Sequence, residues 1–154
     1  MPNLRLSQPM KILIPVDGSM PSLDAVRHAL RLQRDGLQAS FVLATVQEPT
    51  YLFEMMLAPN ADVLERVAGA VGARSLIDAE ALFNAAAVPF EREIGAGNVP
   101  DTLIEIARRY CCEGIIMGAR GWGALRSALL GSVSHAVLQA STVPVTIVKQ
   151  VGSV

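Results

Sequence analysis

Five short apolar runs recur along this chain, and segments of helical character separate them. The runs are Lys11 to Val16 (KILIPV), Ser40 to Val46 (SFVLATV), Pro89 to Ile94 (PFEREI), Gly114 to Met117, and Val143 to Val148 (VPVTIV). The first two are nearly continuous in apolar residues, so they suit strands buried on both faces. PFEREI alternates apolar and charged residues, which places it at a sheet margin with one wet face. Between the runs, Ser19 can cap a helix whose apolar face is Leu23, Val26, Ala29 and Leu30, with Gly36 as its stop. Ala61 to Ala87 is alanine-rich and predicts one long helix with Val63, Val67, Ala70 and Val71 on one side, weakened locally by Gly69 and Gly72. Gly95-Ala96-Gly97 turns the chain, Asn98 can cap, and Leu103, Ile104, Ala107 and Cys111 mark a third helix. Val133, Ala136, Val137 and Ala140 mark the last. Strict β-α-β-α-β-α-β-α-β order predicts an α/β fold, a doubly wound, Rossmann-like five-stranded parallel sheet with helices on both faces. In such sheets ligands collect at the carboxyl ends of the strands where the winding reverses, beside the first and fourth strands.

The chain has 154 residues, enough for one domain with a full core. We assign residues 11–150 to that domain and residues 1–10 to a loose N-terminal arm. Hydrophobic residues make up 51% and charged residues 18%, but there is no unbroken apolar run of about 18 residues. A membrane span is not expected, and MPNLRLSQPMK lacks the pattern of a signal peptide, so a cytoplasmic location is expected. The net charge is −1 with no block of like charge, which argues against a nucleic-acid partner. Cys111 and Cys112 are adjacent, without CxxC spacing, and read as two reduced thiols near a helix end.

Gly118, Gly121 and Gly131 form the pattern G-x2-G-x9-G, followed by Ser132, Val133 and Ser134. Glycines admit positive φ and close approach of a ligand to the backbone amides. A helix starting near Gly131 would present unpaired N–H groups and the positive end of its dipole, a setting that suits a phosphate. Ser132 and Ser134 add hydroxyls there, either as donors or as helix caps. Asp17, at the end of the first run, is placed to accept hydrogen bonds from ribose hydroxyls, or else to shape the turn.

With KILIPVDGS at one end, PVTIVK at the other and this glycine pattern between them, the chain from Lys11 to Lys149 resembles the universal stress proteins of the UspA superfamily. The resemblance implies sheet order 3-2-1-4-5 and, because the full glycine pattern is kept, the branch that binds ATP, with Mg2+ as a companion ion, or ADP or AMP. It further implies that Pro15 and Asp17 sit by the ribose and base, and that the backbone of Val46 faces the adenine. Met117 and Gly118 would end a strand beneath the nucleotide, and Gly121, Gly131, Ser132, Val133 and Ser134 would surround the phosphates. The family's usual homodimer pairs the last strand across a two-fold axis, and Val143, Val145, Ile147 and Val148 suit either that role or cover by the N-terminal arm.

Several residues keep two readings. Arg120 stands either against a phosphate or in solvent. Trp122 covers either a ligand or interface or its own loop, and Thr50 to Asn60 is either an irregular cover or a lid. His28 and His135 belong to no catalytic constellation and read as surface or helix-cap residues. The implied function is an ATP-binding, nucleotide-dependent stress or signalling dimer with an unidentified protein partner. The alternatives are an adenine-nucleotide hydrolase, an adenylyl-transferring enzyme of related fold, and a purely structural dimer. GxxxxGK[ST], SGGxDS and HxGH signatures are all absent from the sequence, so no catalytic residue or metal ligand is assigned.

Overall fold

The computed structural model describes residues 8–48, 61–120 and 130–149. Thr50 to Asn60, Gly121, Trp122 and the first seven residues therefore lie outside the described residues. The elements in chain order are β1 Met10–Pro15, α1 Met20–Arg34, β2 Ala39–Gln47, α2 Ala61–Ala85, β3 Phe90–Ala96, α3 Val99–Arg109, β4 Gly114–Gly118, α4 Ser132–Ala140 and β5 Val145–Val148. The five strands form one parallel sheet in the order β3-β2-β1-β4-β5. This is the Rossmann-like α/β architecture that the alternation predicts. The winding reverses between β1 and β4.

Strand alternation divides the core into two layers. Ile12, Ile14, Val16, Phe41, Leu43 and Ile116 face α1 and α2, whereas Leu13, Val42, Ala44, Ile115 and Met117 face α3 and α4. In the first layer Phe83 of α2 packs edge-on to Phe41 at 5.3 Å and to Phe90 at 5.5 Å between ring centroids.

Two helix faces differ from the sequence expectation. On α2 the buried line is Ala68, Gly72, Leu76, Ala79 and Phe83, while Val63, Val67 and Val71 are half-buried and Ala70 is exposed. Gly72 is the point of closest approach to the sheet: a Cβ there would stand 2.5 Å from Ile94 Cγ2 and 3.2 Å from Thr45 Cγ2. A residue that weakens a helix in isolation thus seats this one. On α3, Leu103, Ile106 and Ala107 are buried, but Cys111 is exposed beyond the helix end with φ +56°. Its N–H donates to Arg108 O at 3.1 Å and that of Cys112 to Ala107 O at 2.8 Å, a left-handed helix ending that turns Cys112 inward instead. Both thiols are free, and burial pushes that of Cys112 up to about 11. On α4, Val137 is buried, Val133 and Ala136 are half-buried, and Ala140 is exposed. His28 is half-buried and His135 exposed.

The crevice at the reversal has a local cause in β1. Val16 N–H donates to Ala44 O on β2, whereas Lys11 O accepts from Glu113 N–H on the β4 side. Odd-numbered residues of β1 therefore turn their backbone groups toward β4. Pro15 is one of them and has no N–H to give. The β1–β4 ladder consists of Ile12 with Gly114 and Leu13 with Ile115. Beyond it, Ile14 and Pro15 pair with β2 while Ile116 to Gly118 pair with β5.

Candidate functional site

A cleft of about 220 Å³ opens at this point. Its walls include Pro15, Asp17, Val46, Met117, Gly118, Gly131, Ser132, Val133 and Ser134, so the fold gathers nine of the positions named from the sequence; Gly121 lies outside the described residues. Val16, Ser22, Ala44, Val99, Leu103 and Arg120 complete the lining. Of these, Arg120 is the residue whose sequence position allows either a phosphate or solvent. Ala44 could have been found from Val46, two residues on and thus on the same face of β2, whereas the i, i+4 spacing of Val99 and Leu103 gives a shared face of α3 but not its place at the cleft. Together Ala44, Val46, Val99 and Leu103 give the cleft an apolar side suited to a flat heteroaromatic ring.

The starts of α1, α3 and α4 all border the cleft. Ser19 caps α1, accepting from Ser22 N–H at 3.4 Å, and Asn98 caps α3, accepting from Asp101 N–H at 3.1 Å. The N-cap of α4 is Gly131, and no side chain among the described residues caps this helix. Its in-helix bonding begins with His135 N–H to Gly131 O at 3.0 Å, so the amides of Ser132, Val133 and Ser134 precede the first turn's own acceptors. The first turn of α4 also carries no acidic residue. The dipole end and these N–H groups, with Arg120 lining the same cleft, favour an anionic group.

Asp17 forms the β1–α1 turn. Its Oδ1 accepts from Ser19 N–H at 2.9 Å and from the Ser19 hydroxyl, and Gly18 beside it takes φ +82°. The carboxylate thus shapes the turn, and Asp17 also lines the cleft.

The glycines act differently from the sequence expectation. Neither Gly118 nor Gly131 has positive φ. Gly118 is required by the body of the protein, because a Cβ there would lie 2.6 Å from Pro21 O at the start of α1. Gly131 adopts φ −73° and ψ 167°, open to any residue, and a Cβ there would meet Arg120 Cα at 3.4 Å. The Ser134 hydroxyl is buried and donates to Ala119 O at 2.6 Å, with Gly131 O at 3.1 Å. Among the described residues no group of three His, Cys, Asp or Glu side chains is placed to hold a metal, and no helix is long and apolar enough to cross a membrane.

The chain is thus a doubly wound α/β protein with a cleft at the reversal of its winding, the place where sheets of this class take their ligands. Comparison with known proteins makes this specific: residues 9–149 match the model of the Universal stress protein family, and the chain belongs to that family. Universal stress protein MJ0531 of Methanocaldococcus jannaschii is 26% identical over 140 residues, covering 91% of this chain and 82% of that protein. The structure of hypothetical protein MJ0577 superposes with TM-score 0.76 at 24% identity, covering 96% of this chain and all (100%) of that one. A universal stress protein solved in complex with cAMP superposes with TM-score 0.64 at 25% identity, covering 93% of this chain and 98% of that one.

Proposed function

We propose that this chain is a nucleotide-binding universal stress protein whose ligand is an adenine nucleotide, ATP foremost, held in the cleft between the ends of β1 and β4. The observation that carries this reading is the division of the cleft. One wall is the apolar surface of Ala44, Val46, Val99 and Leu103, and the other is the start of α4, which no described side chain caps. The similar protein solved with cAMP supports the adenine class.

On this reading the base lies against Val46 and the α3 wall, Pro15 and Asp17 flank base and ribose, and Met117 and Gly118 form the floor. Ser132, Val133 and Ser134 offer backbone amides to the phosphates beside Gly131, and the resemblance implies a place there also for Gly121. Ribose hydroxyls donate well to a carboxylate, and a bound anion satisfies N–H groups that a helix start leaves over. We further assign the protein a cytoplasmic location and a homodimer built on β5, the outer strand beside β4. Nucleotide occupancy would then alter the shape or partner choice of that dimer.

Mass spectrometry of the small molecules released when the purified protein is denatured, with calorimetry against ATP, ADP, AMP, cAMP and adenosine, tests the ligand. ATP is expected to bind, and failure of all five to bind would overturn the reading. Sustained turnover of ATP would move the protein to the hydrolase alternative. Sedimentation at micromolar concentration tests the dimer, against which a monomer would count.

A further inference from the structure

We propose that Ser134 is a positioning residue, whose hydroxyl staples Ala119 to the first turn of α4 and so fixes the cationic wall of the cleft. This inference rests on the nucleotide reading for its consequence, but the staple itself is a property of the protein without ligand.

The geometry is specific. Ala119 O accepts two donors, Gly131 N–H at 2.7 Å and the Ser134 hydroxyl at 2.6 Å, while Ala119 N–H donates to Val148 O at 3.0 Å. The residue that follows the end of β4 is thereby tied to β5 on one side and to the cap and first turn of α4 on the other. Ser134 is 2% exposed, so its hydroxyl proton is committed within the protein. A hydroxyl has one proton to donate. With that proton on Ala119 O, Ser134 does not donate to a phosphate, and its effect on the ligand runs through the placement of Gly131, Ser132 and Arg120. Removing the hydroxyl leaves Ala119 O with the Gly131 amide alone, and α4 loses one of the bonds that set its start against β4.

The test uses the full chain and two variants, Ser134→Ala and Ser134→Thr. In the nucleotide-free protein, hydrogen exchange at the Gly131 amide is expected to be about tenfold faster in Ser134→Ala than in wild type, the scale of one hydrogen bond, and to return toward wild type in Ser134→Thr. Calorimetry is expected to show ATP and AMP bound about tenfold more weakly by Ser134→Ala, with adenosine unchanged, because only the phosphate wall has moved. Unchanged exchange at Gly131 would overturn the staple, even with weakened ATP binding, since that pattern marks a direct contact with phosphate. Faster exchange in a protein whose wild type binds none of the nucleotides would uphold the staple and overturn the nucleotide reading instead.

Discussion

Gly118→Ala isolates what the glycine at the end of β4 does for the protein itself. The added methyl would lie 2.6 Å from Pro21 O, 2.7 Å from Pro21 C and 3.2 Å from Pro21 Cβ. Ordinary carbon contacts are about 3.5–4.0 Å, so relief requires a movement of roughly 1 Å. The obstacle is backbone, and no side-chain rotation removes it. Nor can Pro21 shift alone, because Leu23 N–H is bonded to Ser19 O at 3.2 Å and Ser22 Oγ to the same oxygen at 2.9 Å. The start of α1 must move as a unit, and overpacking of this kind costs about 1–3 kcal/mol. For a chain of this size each kcal/mol corresponds to a fall in Tm of about 2–4 °C. Gly131→Ala is the control, since its methyl would meet Arg120 Cα at 3.4 Å and Ala119 O at 3.6 Å with no backbone strain. Its effect on stability is expected to stay within about 0.5 kcal/mol. Urea unfolding followed by circular dichroism compares the two. Equal midpoints for both variants would refute the packing argument and return Gly118 to a role in ligand approach alone.

Gly131→Val is expected to remain folded and to lose nucleotide binding, because a branched side chain at the cap of α4 occupies the phosphate approach; unchanged ATP affinity by calorimetry would contradict this. Asp17→Ala should weaken adenosine binding by about 1–2 kcal/mol, and Asp17→Asn, which keeps an acceptor for Ser19, separates turn from ligand by retaining stability. Phe83→Ala removes the ring between Phe41 and Phe90 and should cost about 3–5 kcal/mol in denaturant unfolding. Cys112 titrates near 11 when folded against 9.0 as a free thiol. The unfolded chain therefore loses this proton first, and the contribution to stability is full below pH 9 and declines as pH rises toward 11. Iodoacetamide at pH 8 should accordingly label Cys111 in the native protein and Cys112 only on unfolding, as peptide mass spectrometry would show.

Periodicity was sufficient for the architecture because each strand and helix advertises its buried face locally. KILIPV and SFVLATV proved central, PFEREI marginal, and Ser19 and Asn98 cap the helices that follow them. What local pattern could not supply was the identity of distant neighbours. Gly72 weakens a helix until Ile94 is brought against it, and Cys111 fits an apolar stripe until the helix ends at Arg109, two residues sooner. The candidate site divides in the same way. Asp17 and Gly131 were legible from their places at a strand end and a helix start, and Pro15 through the family resemblance. Val99 and Leu103 were not, since their place in the cleft depends on α3 crossing back over β2 from the sheet margin. Ser134 was legible as a hydroxyl near α4's start, but its acceptor, Ala119 O, is visible only once β4 and α4 are docked.

The bond from Ala119 N–H to Val148 O has a consequence for how the protein can change over generations. Val148 belongs to the outermost strand, and Ala119 borders the cleft wall, so rim and cavity are joined through a single hydrogen bond. Substitutions that adjust one therefore register in the other. Should occupancy of the rim by any partner alter nucleotide affinity, reciprocity requires the nucleotide to alter that partner's affinity by the same factor. Selection acting on assembly would in that case also be selection on ligand binding.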